Sequence, residues 1–175
     1  MRNYGNGRPI GVAENITYIR GIWKPNMTIA LLQFDNEEQA CLWMQSDPHF
    51  RRHDWLDDHD TIVIPTRSEL AAYPCVEINA FQRNDVQMFE ADFLPKYEKN
   101  VENAGGKPAI CSTERIRVWR GSNDISYMML TQWRSSEAAQ EWHHSQEATD
   151  LHALRPYASG GWSVLADMKL SPHTE

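Results

Sequence analysis

The sequence predicts an α+β protein in which one unit of strands and helices is used twice. Three observations predict it. Residues 30–53 recur as residues 129–152. Each copy passes from an apolar strand-like run into a capped helix. An alternating strand and an amphipathic helix precede the second copy and have no counterpart before the first.

The repeat comes first because a fixed period marks one structural unit used more than once. ALLQFDNEEQACLWMQSDPHFRRH aligns with MLTQWRSSEAAQEWHHSQEATDLH at an offset of 99. Gln33 matches Gln132, Phe34 matches Trp133, Glu38 matches Glu137 and Ala40 matches Ala139. Trp43 matches Trp142, Ser46 matches Ser145 and His53 matches His152. Each copy thus carries a Trp and, ten positions later, a His. Upstream, Gly7-Arg8-Pro9 matches Gly106-Lys107-Pro108, and Arg20-Gly21 matches Arg120-Gly121 with a slip of one residue.

In the first copy Asp35 or Asn36 caps a helix that runs to about Ser46, with Glu37 and Glu38 favourable in its first turn. On one continuous helix, ten residues would turn His53 about 80° away from Trp43. Asp47-Pro48 breaks the helix and lets them converge; Ser145 is the equivalent cap in the second copy. Residues 66–74, TRSELAAYP, connect the copies. Residues 75–82, CVEINAFQ, alternate as a strand, with Val76, Ile78 and Ala80 on one face and Glu77, Asn79 and Phe81 on the other. Asn84-Asp85 caps a helix whose apolar positions include Met88, Phe89, Phe93, Tyr97 and Val101. Pro95 kinks or splits that helix, and Gly105-Gly106 ends it. The expected organisation is a truncated first half over 5–65, a linker over 66–74 and a complete second half over 75–170.

Composition narrows the function. The 175 residues carry a net charge of −7 and no basic run beyond Arg51-Arg52, which argues against nucleic-acid binding. No apolar stretch approaches the roughly 20 residues of a membrane span, and the N-terminal residues lack a signal-peptide core. Cys41, Cys75 and Cys111 are odd in number and widely spaced, which suits a reducing, cytoplasmic setting. Seven tryptophans supply both core and candidate walls for a flat ligand. His49 and His53 stand four apart with Asp54, Asp57, Asp58 and His59 nearby, but specify no third metal ligand. His143-His144 reads as an exposed pair.

With these residues in view, the chain resembles the dimeric α/β-barrel superfamily. Within it, the likeness is to the antibiotic-biosynthesis-monooxygenase group, and there to the IsdG-type heme-degrading monooxygenases. The resemblance rests on a strand ending in Phe34 or Trp133, a capped helix bearing Trp43 or Trp142, and a short helix bearing His53 or His152. Asn79, in VEIN, stands where that family places an Asn on its first strand. The second copy departs from the pattern at Thr149, where an apolar residue such as Phe50 of the first copy is usual.

The resemblance implies two ferredoxin-like halves with antiparallel sheets and helices on the outer face. Fused in tandem, they form a barrel-like pseudo-dimer, monomeric as a chain. It implies heme as both cofactor and substrate, with electrons from an external donor such as a reductase. His152 would ligate the iron, with Trp133 and Arg155 lining the heme. Asn79 and Trp142 would act in opening the porphyrin and releasing iron. Trp43, His53 and Phe34 mark a second candidate pocket. Two other readings stay open. One is a cofactor-independent monooxygenase acting on an aromatic or polyketide-like molecule. The other is a non-catalytic heme or small-molecule binder.

Overall fold

The computed structural model describes residues 7–21, 23, 27–46, 60–67, 69–70, 73–111, 116–120, 125–153 and 158–170. The chain runs β1 (Arg8–Gly21), β2 (Ala30–Gln33), α1 (Glu37–Ser46), β3 (Thr61–Val63) and β4 (Cys75–Arg83). Then come α2 (Val86–Met88), a π-helical turn (Phe89–Phe93), α3 (Leu94–Asn103), β5 (Lys107–Cys111) and β6 (Arg117–Arg120). The last elements are β7 (Tyr127–Trp133), α4 (Ser136–His143), α5 (Gln146–Ala153) and β8 (Ala158–Leu170). The fold is α+β, as expected from the sequence.

Six strands form one curled antiparallel sheet in the order β2-β1-β8-β4-β7-β5, and β3 pairs with β6 apart from it. The sheet is apolar on both faces. Phe81, Met129, Trp133 and Leu165 face the helices, where Phe89, Phe93, Tyr97, Trp142 and Leu151 meet them. Val76, Ile78, Ala80, Leu130 and Val164 face the other way, and Ile16, Leu31 and Ile62 of the first copy pack against them. Residues of β1, β2 and β3 therefore pack on the side of the sheet that the helices leave open. Among the described residues no helix is long and apolar enough to cross a membrane.

Local signals act where the sequence places them. Asn36 Oδ1 accepts from the Gln39 amide, Asp85 from Met88 and Ser135 from Ala138. Pro95 sits in the first turn of α3, just after the π-helical turn. Lacking an amide hydrogen, it starts a segment instead of breaking one. Gly105 takes φ +85 and closes α3.

The repeat is kept in the strand pairing. Arg8, Pro9, Gly11 and Val12 pair with Gln33, Leu32, Leu31 and Ala30. Lys107, Pro108, Ile110 and Cys111 pair with Gln132, Thr131, Leu130 and Met129. Every pair is displaced by 99 residues, and the irregularity after the proline recurs. The equivalent glycines do the same work. A Cβ on Gly7 would come within 2.5 Å of the Phe34 ring, and one on Gly106 within 2.9 Å of the Trp133 ring.

Candidate functional site

The site grows from the alternation in β4. Side chains two apart share a face, so Cys75, Glu77, Asn79 and Phe81 all point at the helices. The pairing of β4 sets Glu77 beside Thr131 and Leu165, and Asn79 beside Met129 and Ser163. From the other side, α4 brings Trp142 and His143. Ser145 Oγ then accepts from the Ala148 amide, which breaks the helix and starts α5 as expected.

A polar network lies inside this apolar compartment. Ser163 Oγ donates to Asn79 Oδ1 at 2.6 Å, and Asn79 Nδ2 donates to Glu77 Oε1 at 2.7 Å. Trp133 Nε1 donates to Glu77 Oε2 at 3.1 Å. His143 Nε2 lies 3.2 Å from Glu77 Oε1, within ion-pair range but off the line of a straight hydrogen bond. The Glu77 side chain is 1% exposed and that of His143 13%. Burial pushes the Glu77 carboxyl upward, but the His143 imidazole close beside it, with the bonds from Asn79 and Trp133, outweighs it. The Glu77 pKa falls below the ordinary value. The interior thus holds an ionised carboxylate. Such a group persists inside a protein only when paired and hydrogen-bonded.

Aromatic rings surround the network. Trp142 is 4% exposed, and its ring centroid lies 5.6 Å from that of Trp133, 5.7 Å from Tyr97 and 4.7 Å from His143. Its Nε1 is shielded from solvent and meets no acceptor. The His143 and His152 rings are parallel within 7° at 6.0 Å. Cys75 shares the face, but burial, then the charges of Asp167, Glu77 and Glu137, push its thiol up to about 12. It is therefore no nucleophile at neutral pH.

Of the residues singled out from the sequence, Asn79, Trp133 and Trp142 lie together in this compartment. His152 sits on α5 with its ring exposed, 6.5 Å from Trp142 between centroids. Arg155, His53 and the acidic cluster around His59 lie outside the described residues. In the first copy Phe34 and Trp43 pack at 5.6 Å, the spacing of Trp133 and Trp142. Among the described residues no group of three or more His, Cys, Asp or Glu side chains is placed to hold a metal ion.

A heme held between Asn79 and His152 does not fit this arrangement. The oxygen of Asn79 is taken by Ser163 and its nitrogen by Glu77. The path from Asn79 to His152 runs through Glu77 and His143, and Trp142 is packed against its neighbours. Of Asn79, His143 and His152, only His152 is exposed.

Two residues change role relative to the sequence reading. His143 is not half of an exposed pair: it turns inward to Glu77, while His144 stays outside with Nδ1 at 2.7 Å from the Gln140 carbonyl. Glu77 is a buried partner and not merely a polar strand residue. The signal was present, since Glu77 stands on the face of β4 that Asn79 and Phe81 define. No family model matches the chain, and searches among curated proteins and solved structures return no match.

Proposed function

We propose that this protein oxidises an electron-rich aromatic or polyketide-like small molecule with dioxygen, without a bound cofactor, and that His143 takes the substrate's proton. The observation that carries this reading is the ionised Glu77 held against His143 beside Trp142. The carboxylate favours hydrogen on Nε2, which leaves Nδ1 to accept a proton from a ligand. Removing a proton from a ring CH2 conjugated with a carbonyl yields an electron-rich enolate. That anion gives one electron to dioxygen, the two radicals join at carbon, and the hydroperoxide loses water. One CH2 and one O2 become one C=O and one H2O. Trp142 Nε1, a buried donor with no acceptor, suits an oxygen of the substrate.

The barrel-like reading has its own support. β8, β4, β7 and β5 lie side by side in the order of a ferredoxin-like half. β3 pairs with β6 much as β8 pairs with β1, as two related halves exchanging strands would. In this reading the first half stands in for a second subunit.

Heme binding, with or without ring opening, is the second reading, favoured by the exposed His152 beside Trp142. One experiment separates the two. Anthrone, a tricyclic ketone with an acidic ring CH2, is supplied in an oxygen electrode to wild type and His143→Gln. Hemin is titrated into both wild type and His152→Ala. Oxygen uptake lost in His143→Gln supports the cofactor-independent oxygenase. A hemin spectrum lost in His152→Ala, with no uptake of oxygen, replaces it with the heme reading.

A further inference from the structure

We infer that the first half reaches into this site through Arg20, which binds an anionic oxygen pair, a carboxylate, on the ligand. The inference rests on the site proposed above and adds the chemical class that it recognises.

Arg20 lies near the end of β1, and its backbone partner on β8 is Ser163. Cross-strand partners share a face of the sheet. Ser163 donates to Asn79 Oδ1, so that face is the one carrying Asn79 and Glu77. The pairing shifts between Tyr18 and Arg20, leaving Ile19 as the extra residue. Ile19 packs against the helix-side cluster that contains Trp142. Beside it, Gly21, Gly161 and Ala80 bring three strands together. A Cβ on Gly21 would meet the Gly161 carbonyl at 2.1 Å, and one on Gly161 the Ala80 carbonyl at 1.8 Å.

One edge of the guanidinium is unused. Its Nε and Nη2 are both shielded from solvent, and neither has a hydrogen-bond partner. These two nitrogens share one edge of the planar group. That edge meets a carboxylate with two parallel hydrogen bonds. No carboxylate among the described residues forms an ion pair with Arg20. Burial lowers its pKa from the ordinary arginine value, with Tyr18 partly offsetting the effect. A half-buried cation whose Nε–Nη2 edge has no counter-ion gains by pairing with an anionic ligand. Trp142 Nε1, also without an acceptor, calls for one too. Two donor groups left open, one on each half of the chain, describe a ligand that carries acceptor oxygens at two points.

Salicylate and its uncharged amide, salicylamide, are the probes. Each is titrated into 15N-labelled full-length protein, with the Arg20 Nε–H and tryptophan indole signals followed by NMR. Salicylate is expected to shift Arg20 and the Trp142 indole and to bind about tenfold or more tighter than salicylamide, as expected for charged hydrogen bonds. Arg20→Met should abolish that preference, and Arg20→Lys should restore only part of it, since a lysine lacks the fork. Equal binding of acid and amide to wild type overturns the inference without recourse to a variant. So does an absence of salicylate binding, or a preference that persists in Arg20→Met. Failure of the two proposals is distinguishable. Arg20-dependent salicylate binding in a protein that never consumes oxygen keeps the anion site and removes the oxidation. Oxygen uptake that is unchanged in Arg20→Met, with no preference for the acid, removes the anion site and keeps the oxidation.

Discussion

His143 Nε2 comes within 3.2 Å of Glu77 Oε1, joining α4 to the middle of β4 inside the helix-side core. The two residues are far apart in sequence, and the contact turns a strand residue and a helix residue into one acid–base unit. Asn79 and Trp133 hold the carboxylate from two further directions.

The pair should be energetically coupled. Removing a group that holds a buried charge costs roughly 3–5 kcal/mol, because that charge is left behind. Glu77→Gln and His143→Phe should each destabilise, and the double variant should lose less than their sum by roughly 1–3 kcal/mol. Urea unfolding of the four proteins measures this. Strict additivity would show that the two groups do not interact.

Acid should weaken the fold through Glu77. Its pKa is lower in the folded chain than in the unfolded one, where a glutamate titrates near about 4.3. Its contribution is therefore fully present above that value and is lost as pH falls through the lower folded value. Across that acidic window the urea midpoint of wild type should fall more steeply than that of Glu77→Gln. Parallel slopes would mean that Glu77 is not ionised in the folded protein.

Glycine positions should differ sharply in tolerance. Gly105 has φ +85 but open space around its Cβ position, so Gly105→Ala should cost about 1 kcal/mol of backbone strain. Gly161 has φ +77, and its Cβ would lie 1.8 Å from the Ala80 carbonyl. Gly161→Ala should cost at least about 3 kcal/mol, since backbone must move as well. Thermal unfolding of the two variants ranks them, and the reverse order would contradict the close approach of β8 to β4.

The second half should not stand alone. β1 pairs with β8 from Gly11↔Leu170 to Gly21↔Trp162, and first-half side chains cover the sheet face opposite the helices. A fragment starting at residue 70 would expose that edge and that face, and should dimerise or aggregate. A monomeric fragment as stable as the full chain, by sedimentation and urea unfolding, would contradict this.

Much of the architecture was legible because its signals are local. The period of 99 residues gave equivalent strands and helices, and the pairing of Arg8–Val12 reproduces that of Lys107–Cys111. Asn36, Asp85, Ser135 and Ser145 cap helices through their own neighbours, which a sequence displays directly. The site was only partly legible because its key contacts are long-range. Asn79, Trp133 and Trp142 stood out by pattern, but nothing local to Trp142-His143-His144 says which imidazole turns inward. The rotation of α4 on the sheet decides that, by pressing Trp142 on Trp133 and leaving His143 above Glu77. Arg20 was visible only as part of a repeat match. Its meaning depends on which strand lies beside β1, and that is set by β8 from the far end of the chain.

The most direct measurement of the central claim is anaerobic. Anthrone mixed with the protein without oxygen can be deprotonated but not oxidised, so the absorbance of its enolate reads proton removal alone. The expected result is an enolate band with wild type that is absent with His143→Gln and reduced at least about tenfold in rate with Glu77→Gln, the loss of about 1.4 kcal/mol at the barrier. No enolate with wild type, or the same band with His143→Gln, would contradict the role of the Glu77–His143 pair as the proton acceptor.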